Sequence, residues 1–196
     1  MRKVERGELL GLAEYEQIRP QFRSRIIAEK TERRLVAGEV SVTFENHDTV
    51  LFQIQEMLRT ERITKEAAID HEIETYNELV PGPNELSATM FVEIPDAAVR
   101  DRRLVELAGL ESCIALEVLG AKVRARNEAR GVLPDRTTAV HYLKFPLGED
   151  LTRRLSARAL ENPREAVFFL LDHPKLALRR ELGPATLKSI ALDLAG

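Results

Sequence analysis

Ten consecutive residues, Glu85 to Ile94, constrain this chain more than any others. Leu86, Ala88, Met90, Val92 and Ile94 alternate without a break against Glu85, Ser87, Thr89, Phe91 and Glu93. A period of two places the first set on one face of a β-strand and the second on the other, whereas a turn of 3.6 residues would scatter the apolar side chains around a helix. Pro81-Gly82-Pro83-Asn84, the strongest loop signal in the sequence, precedes this strand, and Pro95 ends it.

Further strands read in the same way. Val40, Val42 and Phe44 alternate with Ser41, Thr43 and Glu45, the pattern of a half-buried strand. Strands are expected near 40–45, 86–94, 113–119, 122–126, 138–145 and 166–182, in a mainly antiparallel sheet because several are joined by short turns. Gly120-Ala121, with glycine first, predicts a type II′ hairpin between Ile114–Leu119 and Lys122–Arg126. Asp172-His173-Pro174-Lys175 predicts the turn of a second hairpin.

Helices account for the rest. Pro20 disfavours helix in the residue before it, so one helix is expected to stop near Arg19 and another to cover 21–33, ending before an Ala37-Gly38 turn. Val50, Leu51, Ile54, Met57 and Leu58 form one apolar stripe, with Asn46 or Asp48 as the N-cap. Thr64 is expected to cap the next helix, with stripe Ile69, Ile73, Tyr76 and Val80. Helices are also expected after Pro95-Asp96, over 149–160 and after Gly183-Pro184, where proline takes the tolerated first position. Helices in blocks beside hairpins make this an α+β fold, and 196 residues suit a single domain whose helical part, about 6–34, packs on the sheet.

The charge balance and the cysteine count narrow the function classes. Residues 1–34 carry nine Lys/Arg against six Asp/Glu, while residues 45–93 carry three against eleven. The basic positions are interleaved with Glu29 and Glu32, and Phe22 alone supplies a nearby stacking ring, so nucleic acid is not the expected partner. No apolar run approaches the roughly 18 residues of a membrane span, and the charged stretch Met1–Glu8 leads into no secretory h-region. A single cysteine, Cys113, forms no intrachain disulfide and is expected to be structural. A cytoplasmic protein is expected.

Four blocks, LAEYEQIRPQFRSRIIAEK (12–30), FENHDTVLFQIQEMLRTERI (44–63), YNELVPGPNELSATMFVEIPD (76–96) and AVHYLKFPLG (139–148), resemble a bacterial family of unknown function. The likeness covers essentially the whole chain. Genes of that family often neighbour those for rubrerythrin-like and iron–sulfur proteins related to heterodisulfide reductase. The resemblance thus implies an accessory role in iron-dependent redox or peroxide-stress metabolism, with a redox or iron–sulfur protein as partner. It defines no catalytic residue to carry over.

The residues themselves offer weak chemistry. No Glu-x-x-His pair, zinc-like spacing, nucleophile elbow or glycine-rich phosphate loop is present, and no cofactor signature is evident. His71 is expected to face water. His141 shares a strand face with Ala139, Leu143 and Phe145 and is expected to point inward, where a neutral imidazole needs a partner. Glu56 and Gln53 border the apolar stripe of the strong helix, Tyr76 lies on the next helix, and Glu93 ends the central strand. A cluster of Gln53, Glu56, Tyr76, Glu93 and His141 is therefore the candidate site, binding a metal or moving a proton. Glu56, Glu61, Glu66, Glu72 and Glu74 form an acidic face that would suit a basic partner. The leading expectation is a non-catalytic accessory or binding protein, with a homodimer as a further association; the alternative is a small enzyme or metal-binding protein using the His141 and carboxylate cluster.

Overall fold

The computed structural model describes residues 1–127, 133–161 and 166–195. The central alternating segment is a strand, β3 (Glu85–Val92), and it lies in the middle of a five-stranded sheet. On one side of it stand β2 (Val40–Phe44) and β1 (Arg34–Ala37), on the other β7 (Val140–Pro146) and β6 (Arg126–Asn127). A second sheet orders β5 (Ala121–Arg124), β4 (Ile114–Val118), β8 (Val167–His173) and β9 (Leu176–Glu181). Every strand pair in both sheets is antiparallel. With helices α1 (Leu12–Glu32), α2 (His47–Thr60), α3 (Glu66–Asn77), α4 (Ala97–Glu106), α5 (Glu149–Glu161) and α6 (Pro184–Ala195), this is a single α+β domain.

Alternation decides which face meets what. Val42, Phe44, Ala88, Met90, Leu143 and Phe145 of the first sheet share a core with Leu116, Val118, Phe169 and Leu171 of the second and with α5 and α6. The opposite face of the first sheet is covered by the N-terminal helices, whose own core joins Val50, Ile54 and Leu58 of α2 to Ile69 of α3 and to Val4 and Leu9. Both faces of β2 are consequently buried, polar side included, so it is not the half-buried strand its pattern predicts.

Several expectations are corrected. The six strand segments do not lie in one sheet, because the chain leaves the second sheet at Ala125 and Arg126 pairs with Lys144 of the first. Residues 34–37 form an edge strand that the helical reading overlooked, turned back onto β2 through Gly38-Glu39, with glycine supplying φ +62°. The first hairpin turns at Leu119-Gly120, not Gly120-Ala121: Val118 pairs with Ala121, and both turn residues have positive φ, as a type I′ turn requires. The second turn is the shorter Pro174-Lys175, since His173 pairs with Leu176.

Among the helices, Pro20 lies inside one continuous α1 rather than between two. Its ring sits on the exposed side, and contacts on both flanks hold the helix through it: Tyr15 is fully buried before it, Ile26 after it, and Phe22 makes edge-to-face contacts with Tyr15 and Phe52. Thr64 does not cap α3; Lys65 holds that position without a side-chain bond. Asn46 does cap α2, in a reciprocal box with Thr49. No helix among the described residues is long and apolar enough to cross a membrane.

Candidate functional site

The face of the first sheet that meets the N-terminal helices carries hydroxyls and charges where a packed layer usually carries aliphatic groups. Register sets Arg34, Thr43, Thr89 and Tyr142 in one row, and Val36, Ser41, Phe91 and Val140 in the next. Polar side chains cannot interdigitate with α1 as aliphatic ones do, and a cleft of about 330 Å³ remains there. Ile27, Lys30 and Thr31 of α1 form one wall, Gln53 of α2 closes one end, and Ser41, Thr43, Glu45, Thr89, Phe91 and Glu93 line the sheet side beside Arg34.

The charges in this cleft are arranged unevenly. Glu93, at the exposed rim, accepts from Arg34 at 2.6 Å and from the Ser41 hydroxyl at 2.7 Å. Lys30 stands over the Phe52 ring, 5.9 Å from its centre. Glu45 lies deep, with 3% of its surface exposed. Its two carboxylate oxygens accept from the hydroxyls of Thr49 at 2.6 Å and Thr89 at 2.7 Å. Arg33 reaches the main-chain carbonyl of Glu45, at 3.2 Å, and not its carboxylate.

The residues singled out from the sequence are divided by the sheet. Gln53 and Glu93 both line the cleft, and Gln53 lies near Tyr76, whose hydroxyl is pushed above its ordinary pKa mainly by burial. Glu56 faces α1 instead. It accepts from Tyr15 at 2.7 Å and from both nitrogens of the Arg19 fork, at 2.8 and 2.9 Å, and this fork above all holds its carboxyl below the usual range. It is a strut between two helices.

His141 occupies the other face. It pairs with Met90, and its neighbours Leu143 and Phe145 belong to the core between the sheets. Strand alternation therefore places the sheet between His141 and the face carrying Glu93, so the five-residue cluster expected from the sequence does not assemble. The inward direction of His141 was legible; its companions were not. It sits 3.3 Å from the Thr137 hydroxyl, which donates to Glu111, and its other ring nitrogen is 3.5 Å from the Asn127 amide. Burial lowers its pKa, with Glu111 opposing, so the ring is neutral at physiological pH.

Other expected groups take plain structural positions. His71 is exposed. Of the acidic face, Glu66 is paired with Arg6 and Glu56 with Arg19. The Cys113 thiol is half-buried, and burial first, then Asp172 and Glu111, push its pKa up, which disfavours the reactive thiolate. Among the described residues no three His, Cys, Asp or Glu side chains converge as a metal-ligand set. A larger hollow of about 690 Å³ beside Phe168, Arg179 and Gly183 is a broad surface groove, in which the Arg179 guanidinium already stacks 3.5 Å over Phe168 and pairs with Glu117.

The cleft residues Ser41, Thr43, Glu45 and Thr89 were not candidates in the sequence. Their signal was present as the polar side of two adjacent strands, but a polar strand face ordinarily means solvent; only the helices laid over it make it a site.

Comparison with known proteins gives kinship without an activity. The family described as "Protein of unknown function (DUF3501)" matches residues 3–194. A crystal structure of a novel protein of unknown function from Burkholderia pseudomallei K96243 is similar over 98% of this chain and 100% of that one, with 32% identity and a TM-score of 0.88. No curated protein matches significantly.

Proposed function

The chain belongs to the DUF3501 family of proteins of unknown function, and from the geometry of its cleft we propose that it is a cytoplasmic, non-catalytic binding protein holding a small polar molecule between α1 and the first sheet. One observation carries this reading: a sheet face lined with hydroxyls and carboxylates is covered by helices yet left unfilled. Buried polar groups are normally satisfied by packing partners, and a cavity lined by such groups is a place for a hydrogen-bonding guest. Binding rather than turnover is favoured because, among the described residues, no histidine or cysteine lines the cleft, and Glu93 is tied to Arg34 and Ser41.

The family resemblance adds the setting, an accessory to iron-dependent redox or peroxide-stress metabolism acting beside a redox or iron–sulfur protein. Protein purified from its native host and then denatured is expected to release a small molecule in near-stoichiometric amount, measured by mass spectrometry. Thr31 is exposed on α1 and lines the cleft, so Thr31→Trp should fill it and reduce the released amount at least tenfold. Equal release from both proteins, or release from neither, would remove the cleft as a binding site.

A further inference from the structure

Glu45 makes the cleft selective. Its carboxylate is almost wholly withdrawn from water and, among the described residues, it has no cationic side chain as a partner; two threonine hydroxyls are its only side-chain donors. A buried carboxylate is tolerated when paired or fully hydrogen-bonded. Each carboxylate oxygen offers about two acceptor sites, and here each receives one hydroxyl, leaving acceptor capacity on the group that lines the cleft. The other charges nearby do not answer it, since Arg34 is paired with Glu93 and Lys30 stacks on Phe52.

Around this anion the cleft is polar at its floor, and at its mouth apolar side chains stand beside the Arg34–Glu93 ion pair. Thr43 and Thr89 flank one another across β2 and β3, while Ile27 and Phe91 line the opening with 42% and 37% of their surfaces exposed. A volume of about 330 Å³ has room for on the order of ten waters at ~30 Å³ each, or for one short chain with a charged head. We propose that the ligand is a small primary amine, its ammonium group donating to the Glu45 carboxylate and its apolar stem running out between Ile27 and Phe91. Lys30 at the wall makes a second cation at the far end unwelcome, so that end is neutral or anionic. This inference rests on the cleft being a binding site and adds the chemical class of its occupant.

The test uses n-pentylammonium, 1-pentanol and pentanoate on isotope-labelled full-length protein, followed by amide chemical shifts. Pentylammonium is expected to shift Thr43, Gln53 and Thr89 saturably, and the two other probes are not. Glu45→Gln keeps the shape and removes the charge, and should weaken pentylammonium at least tenfold, the range for a hydrogen bond to a charged group. In the wild-type protein the Glu45 carboxyl carbon should also move on adding the amine, a readout that does not depend on whether the variant folds. Pentanol or pentanoate binding as tightly as the amine, or an unchanged affinity in Glu45→Gln, overturns the amine while leaving the cleft as a site. No response of the wild-type Glu45 carboxyl to pentylammonium overturns the amine outright, and release of a native molecule then decides the cleft separately.

Discussion

Single side chains here do two jobs, holding the N-terminal segment down and setting the charge inside the cleft. Glu8 shows the first. Its carboxylate accepts both arms of Arg2 at 2.6 and 2.7 Å and the Glu5 amide at 2.8 Å, and it faces His47 at 3.1 Å; led by the Arg2 hydrogen bond, these lower its pKa from 4.5 to about 2. A carboxyl whose folded pKa is depressed contributes stability above its unfolded value, and that contribution is lost as pH falls through the folded one. The anchoring by Glu8 should therefore be complete above about pH 4.5 and gone near pH 2. The check is the difference in urea midpoint between wild type and Glu8→Gln, expected to close across that window; a difference unchanged down to pH 2 would show that the pair contributes nothing. His141 illustrates how much of a residue's role sequence alone conveys: period two gave its inward face, but Thr137, Asn127 and Glu111 approach it from other elements.

Elements form where local preference and tertiary contact agree, and α1 forms where they disagree. A proline in a helix interior lacks the N–H for the preceding turn and is about 3 kcal/mol worse than alanine. The Arg19 fork on Glu56 and the Tyr15, Phe22 and Phe52 ring contacts bind α1 to α2 on either side of Pro20 and outweigh that local cost. Because Pro20 itself is exposed, Pro20→Ala should keep these contacts and restore a backbone hydrogen bond. After allowing for the greater freedom of an unfolded alanine chain, a gain of about 2 kcal/mol in unfolding free energy is expected by urea denaturation. A loss would mean that α1 needs the shape proline imposes. The turn at Leu119-Gly120 is a similar conflict, with a leucine at φ +48° held by the pairing of β4 with β5.

At the scale of the whole molecule, Arg33 ties the layers together. Its side chain is 1% exposed at the end of α1. It donates to the carbonyls of Phe44 and Glu45 at the end of β2, to the Ser189 hydroxyl at 2.7 Å, and to Asp193 of α6, with which it forms a buried ion pair. Burial pushes the Asp193 carboxyl up while Arg33 pulls it down, which marks a pair that neither partner can leave cheaply. Arg33→Met should cost about 3–5 kcal/mol, because it strands a carboxylate away from water. Adding Asp193→Leu should recover part of that loss; a double variant no more stable than Arg33→Met would show that the carbonyl contacts, not the ion pair, dominate. Far-ultraviolet circular dichroism and tyrosine fluorescence should follow one transition in wild type, since this node couples the N-terminal helices to α6.

What the sequence determined by itself is what short-range geometry can encode. Alternation marked β2, β3 and β7 and the face each turns to the core; Asn46 and Asp48 marked the start of α2 to within two residues; proline and glycine marked the loop before β3 and the start of α6. Tertiary structure decided the rest. A period of two says that a side chain faces one way but not which layer lies there, so two sheets could not be told from one, and the polar face of β2 and β3 could not be told from a solvated one. Whether Gln53 and Glu93 share a cleft, and whether His141 joins them, depends on contacts between residues far apart in the chain. The helices that cover Ser41, Thr43, Glu45 and Thr89 turn an ordinary hydrophilic strand face into a site, because withdrawing those groups from water raises the worth of each hydrogen bond they make and of the acceptor capacity left on Glu45.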